Sequence, residues 1–145
     1  MTEEDLNQLG EDLITTAARI VRWVSTDGLT LSLASARILA RLFDIGPARI
    51  SDLAALERSS QPTITNHVKR LEAAALVERT ADPSDARAWM ISLTDRGHEQ
   101  LGHMRKALGA NVAPHLKDLS QRDLKALRQG LEIMRRLMAA DRLRQ

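Results

Sequence analysis

Between Pro62 and Arg70 the chain carries Pro62, Thr63, Thr65, Asn66, Lys69 and Arg70, a set of hydroxyl, amide and cationic groups with no acid among them. Such a set suits a nucleic-acid duplex, because cations meet phosphates while Asn, Thr and Arg hydrogen-bond base edges in the major groove. Other chemistries leave no comparable trace. No nucleophile with a base, paired carboxylates, metal set or phosphate loop stands out, so the chain is read as not an enzyme. His67, His98, His103 and His115 lack the i, i+4 spacing that brings two imidazoles to one metal, and no cysteine is present to help. Neither a metal nor a cofactor is expected.

A helix positions the set. Ser60 precedes a first turn bearing Pro62, a start signal, since the hydroxyl accepts from orphan backbone N–H groups and proline has none to orphan. At roughly 100° per residue, Ile64, Val68, Leu71 and Ala75 share a buried stripe. Pro62, Thr63, Asn66, Lys69 and Arg70 lie opposite, with Thr65 at the margin. His67, at the edge of the stripe, is read as a hydrogen-bonded packing residue. Upstream, Ser51 to Glu57 forms a short helix with Ser51 as its cap and Leu53 and Leu56 inward, and Arg58 and Ser59 make the turn. Two short helices joined this tightly form a helix-turn-helix, whose second helix enters the groove. Downstream, Leu76 to Thr80 reads as a strand, Ala81 to Ala86 as a turn and Arg87 to Leu93 as a returning strand. Trp89, Ile91 and Leu93 alternate there with Ala88, Met90 and Ser92, the period of a half-buried hairpin. That hairpin is a wing.

On these residues the chain resembles the MarR family of winged helix-turn-helix transcription regulators. The resemblance runs from a long first helix through Ser60–Leu76 with Val77, Glu78 and Arg79, then the wing Asp82-Pro83-Ser84-Asp85-Ala86-Arg87, then Ser92-Leu93-Thr94-Asp95-Arg96-Gly97 and a closing helical pair. It implies a mainly α fold with a small β wing: a winged helix-turn-helix DNA-binding lobe over residues 32–94, with dimerisation helices over 1–30 and 95–145, in a single domain spanning 1–145. Two departures stand out. Ala86 replaces a second arginine common before the wing-tip arginine, and Ala75 replaces a common glycine, at about 1 kcal/mol if positive φ is required.

A chain of 145 residues is one domain's worth, and 43% hydrophobic with 28% charged residues describes a globular protein. No apolar run approaches the roughly 18 residues that span a bilayer, and the acidic N-terminus is unlike a secretory signal, so a cytoplasmic location is expected. Without cysteine there is no disulfide framework or thiol sensor. The net charge of +2 is less informative than its distribution: the first eighteen residues carry acids only, and Lys69, Arg70, Arg79 and Arg87 gather around the proposed DNA face. Leu6 to about Val24 is a long amphipathic helix. A second helix starts near Ser32, carries Ala36, Leu39, Leu42 and Phe43 inward and stops at Gly46 and Pro47. Arg49 and Ile50 then form a short strand that joins the wing. Thr94 caps a fifth helix weakened by Gly97, Gly102, Gly109 and Pro114, and Ser120 with Asp123 caps a sixth, whose leucine and methionine stripe calls for a partner.

A two-fold dimer spaces two recognition helices roughly 34 Å apart on a near-palindromic operator. The expected DNA-binding residues are Ser60, Gln61, Pro62, Thr63, Thr65, Asn66, Lys69 and Arg70, with Thr63, Thr65, Asn66, Gln61 and Arg70 nearest the bases and Lys69 on phosphate. Arg87 enters the minor groove, oriented by an ion pair with Asp85. The resemblance also implies a small aromatic or amphipathic effector, with Trp23, Arg37 and Phe43 as lining residues, and a repressor. Arg37 and Arg41 read first as solvated, and otherwise as contacts to phosphate or an acidic ligand. The competing function is an architectural or partner-controlled winged-helix protein with no effector.

Overall fold

Among the described residues, apolar side chains three and four apart build six helices, and the breakers Pro83 and Ser84 turn the chain between the fourth and fifth into a hairpin. The computed structural model describes residues 1–142 in the order α1 (Glu3–Trp23), α2 (Leu33–Ile45), α3 (Ile50–Leu56), α4 (Gln61–Ala73), β1 (Val77–Asp82), β2 (Asp85–Leu93), α5 (Asp95–Leu116) and α6 (Gln121–Arg142). The last three residues of the expected 95–145 dimerisation segment lie outside the described residues. Packing divides the chain into two compact units, one over residues 26–108 and one formed by residues 1–25 with the chain from Gly109 on.

The 26–108 unit closes around Ile38, Leu39, Leu42, Leu53, Ile64, Val68, Leu71, Leu76, Val77, Ile91 and Leu101, all buried. These come from α2, α3, α4, both strands and α5, so one apolar cluster holds the helix-turn-helix against the root of the wing. Caps set the helix starts. Ser32 Oγ accepts from Ser35 N–H at 3.1 Å and Ser60 Oγ from Thr63 N–H at 3.2 Å. α3 starts one residue earlier than expected, with Arg49 at its N-cap and no side-chain cap, so Ser51 lies inside the helix.

Several expected inward residues point out. Phe43 and Leu56 are exposed, as is Ala75, which follows the end of α4 with φ 58° while Leu76 takes its place in the core. Such a left-handed alanine is the strained counterpart of a helix-ending glycine. The strands pair antiparallel from Val77↔Leu93 to Ala81↔Trp89, extending further than expected and leaving a tighter turn. Only the root of the hairpin meets the core: Ile91 is buried, whereas Trp89 is 54% exposed. The third strand reduces to a single bridge, Ala48↔Ile91, one residue before Arg49.

Thr94 caps α5 as expected, its Oγ1 accepting from Gly97 N–H at 3.0 Å. The helix then runs unbroken past Gly102, Gly109 and Pro114, because the glycines keep their backbone N–H donors and the one donor missing at Pro114 falls in the last turn. In the other unit, α1 carries a capping box, with Thr2 N–H donating to Asp5 Oδ2 at 2.7 Å and Asp5 N–H to Thr2 Oγ1 at 3.1 Å. Ser120 caps α6 through Asp123 N–H at 3.1 Å. Trp23 packs on His115 with ring centroids 4.7 Å apart, and Asn111 Nδ2 donates to Ser25 O at 2.8 Å. α1 buries none of its residues.

Candidate nucleic-acid interface

The buried stripe of α4 decides which way its polar face looks. Ile64, Val68 and Leu71 enter the core, and this leaves Ser60, Gln61, Pro62, Thr63, Asn66, Lys69 and Arg70 exposed, with Thr65 half-buried. The face carries two cations and no acid. Its N-terminal end is internally ordered, since the hydroxyls of Ser60 and Thr63 share a hydrogen bond of 2.8 Å beside the cap. Gln61, Asn66 and Arg70 thereby become the long polar side chains that project from a rigid, exposed helix.

The wing is held at its turn. Asp82 is buried, and its Oδ1 accepts from Ser84 N–H at 2.9 Å and Ser84 Oγ at 2.8 Å, while Oδ2 accepts from Arg49 Nε at 2.7 Å. Arg49 and Asp82 also form an ion pair through Arg49 Nη2. These bonds tie the turn of the wing to the start of α3, a cross-connection that charge and spacing in the sequence left unmarked. The Ser84 backbone N–H and then its hydroxyl hold the Asp82 carboxyl below the ordinary aspartate range; burial opposes them, and Arg49 adds lesser contributions in the lowering direction. A depressed folded-state value stabilises the fold above the ordinary aspartate pKa, and the contribution disappears as pH falls through the lowered value. Asp82→Asn is therefore expected to melt below wild type at neutral pH, with the gap narrowing in acid. A gap that stays constant from neutral to strongly acidic pH contradicts this role.

Arg87 is exposed at the wing. Asp85 does not pair with its guanidinium; its Oδ1 accepts the Arg87 main-chain N–H at 3.0 Å and so shapes the backbone of the turn instead. The expected ion pair is replaced because a carboxylate two residues upstream reaches that N–H with less ordering than a long side chain requires. Arg79, counted with the DNA-side cations, is engaged by Glu72, Nε lying 3.1 Å and 3.0 Å from the two carboxylate oxygens. The Nδ1 atom of His67 is buried and has no hydrogen-bond partner among the described residues.

The residues expected to line an effector site have separate surroundings. Trp23 meets His115 in a tilted arrangement. Phe43 meets His98 edge-on at 5.8 Å, with the Arg105 guanidinium 4.8 Å from its ring centroid. Arg37 pairs with Glu57 at 2.9 Å and so is not simply solvated; Arg41 pairs with the same carboxylate at 2.7 Å. Glu57 had no role in the sequence reading. The only signal for it was two arginines four apart on α2 with one acid at the end of α3.

Residues 31–89 match the family model described as MarR family. The uncharacterized HTH-type transcriptional regulator YxaD of Bacillus subtilis is 34% identical over 64 residues, covering 44% of this chain and 45% of that protein. The matched stretches span 45–60% of the length of the curated relatives. Among solved structures, the transcriptional regulator Tm0710 of Thermotoga maritima aligns over 96% of this chain and 97% of its own, with TM-score 0.67 and 24% identity. Apo wild-type MarR of E. coli aligns over 87% of this chain and 96% of its own, with TM-score 0.69 and 19% identity. At these identities the two structures share the fold, a winged helix-turn-helix flanked by helices from both ends of the chain.

Proposed function

We propose that this chain, which carries a MarR-family domain over residues 31–89, is a sequence-selective DNA-binding transcription regulator that acts in the cytoplasm as a two-fold dimer. The acid-free, exposed face of α4 beside an anchored wing carries the proposal. Gln61, Thr65, Asn66 and Arg70 read base edges from the major groove, with Ser60, Pro62 and Thr63 shaping the helix start and Lys69 neutralising phosphate. Arg87 supplies the minor-groove contact, and Asp85 sets the turn that carries it. Ala86 offers no second cation there.

Dimerisation has its own support. α6 exposes Leu127, Leu131, Ile133, Met134, Leu137 and Met138, and α1 exposes Leu6, Leu9, Ile14, Ile20 and Val21, more apolar surface than a soluble monomer ordinarily shows. A groove of about 760 Å³ along α6 is lined by Leu124, Leu127 and Leu131 together with Lys125, Arg128 and Arg135. The first turn of α1 is acidic, with Glu3, Glu4 and Asp5, and suits the cations of that groove in a second copy. Among the described residues no helix is long and apolar enough to cross a membrane.

Regulation is repression relieved by a small aromatic or amphipathic effector, with Trp23, Arg37 and Phe43 as contacts. Arg37 must then exchange Glu57 for the effector.

Fluorescence anisotropy against a duplex that the protein selects from a randomised pool, and against a scrambled duplex of equal length, tests the DNA-binding reading. Selective binding with one dimer per site is expected. Arg87→Ala is expected to weaken binding to both duplexes and to reduce the salt slope by about one. Equal, salt-collapsing affinity of the wild type for both duplexes replaces this reading with an architectural one.

A further inference from the structure

Glu57 caps the C-terminus of α3, directly before the turn that launches α4. Its side chain is 8% exposed and receives two guanidinium groups from α2, with Arg41 Nε at 2.7 Å from Oε1 and Arg37 Nη2 at 2.9 Å from Oε2. Arg41 Nη2 also donates to the Leu56 carbonyl at 3.4 Å, so side chain and main chain of one corner are held together. One residue later Arg58 takes φ 49°, and Ser59 N–H closes on Ala54 O at 2.9 Å. That left-handed step sets the direction in which Ser60 starts α4.

An open pocket of about 140 Å³ lies against this corner, with Arg37, Ile38, Glu57, Thr63, Ile64 and His67 among its lining residues. A carboxylate this buried, with each oxygen fixed by a different arginine, has one place to sit. We propose that Glu57, clamped by Arg37 and Arg41, is the positioning residue of the recognition helix: it fixes the angle at which α4 leaves the turn and so governs sequence selectivity without touching DNA. The inference rests on α4 being the DNA-reading helix.

The signs of two effects make the proposal testable. If Glu57 acted only as a charge, removing it would free two cations and tighten binding to any duplex. If it positions α4, removing it weakens the selected duplex despite that gain. Wild type, Glu57→Gln and Glu57→Asp are titrated against a duplex the wild type selects from a randomised pool and against a scrambled duplex, alongside thermal melts. Glu57→Gln is expected to bind the selected duplex about tenfold more weakly, and the scrambled duplex at least as tightly as wild type. Glu57→Asp, one methylene shorter with its charge kept, falls between. Unchanged or tightened binding of the selected duplex by Glu57→Gln overturns the proposal. So does an equal loss on both duplexes with a collapsed melt for both variants, which assigns Glu57 to folding alone. A wild type that selects no duplex refutes the DNA-reading role itself, and this inference with it.

Discussion

Gly97→Ala is expected to destabilise the 26–108 unit by about 3 kcal/mol or more, since overpacking against backbone has no side chain to yield. A Cβ at this position lies 2.1 Å from the Leu76 carbonyl oxygen and 3.1 Å from both Leu76 C and Leu93 Cδ2. The first turn of α5 rests directly on the end of α4. Thr94 Oγ1 donates to Ala75 O at 2.6 Å, and Thr94 N–H donates to Leu76 O at 3.2 Å, so the carbonyl that meets Gly97 is itself part of the joint. For a unit of this size the cost corresponds to a fall of the melting midpoint on the order of 10–20 °C, read by calorimetry or circular dichroism. Gly102→Ala is the control: it lies in the same helix with nothing within 4 Å of the added methyl, and is expected to be neutral or stabilising. Similar melts for the two variants remove the close approach as the reason for glycine at 97.

Leu131→Asp is expected to convert the dimer to a monomer and to lower operator affinity by about a hundredfold or more, because each half-site then binds without the effective concentration supplied by the other. Leu131 is 43% exposed in the single chain and lines the α6 groove, so the substitution costs the isolated fold little. Sedimentation velocity gives the mass and anisotropy the affinity. A variant that remains dimeric with undiminished affinity removes α6 as the dimer surface. A wild type that is monomeric at micromolar concentration removes the dimer itself.

Much of this architecture is legible in the chain because it is encoded locally. Ser32, Ser60, Thr94 and Ser120 cap the helices expected of them, since a hydroxyl reaches an N–H three residues away, whereas Ser51 falls inside α3 because that helix starts at Ile50. Ile64, Val68 and Leu71 define the inward stripe of α4, and the same periodicity sends Asn66, Lys69 and Arg70 outward. Periodicity misled where the neighbouring element ended. Trp89 continues the alternation of β2 yet is exposed, because the hairpin outruns the core, and Phe43 extends the α2 stripe past the residues that α4 and the strands cover.

By itself, then, the sequence determined the helices, the wing and the acid-free polar face of α4, all products of interactions within a turn or two or across a tight hairpin. Tertiary structure decided what the charged groups do. Arg41 meets Glu57 across 16 residues, Arg49 meets Asp82 across 33, and Thr94 meets Ala75 across 19. An arginine on a helix reads alike whether it faces phosphate, solvent or a carboxylate, and only the packing of α2 on α3, and of the wing on the start of α3, brings a particular acid within hydrogen-bonding distance. The close approach that makes Gly97 necessary has the same origin, for a backbone carbonyl from the end of another helix leaves no mark on the residues that precede it in the chain.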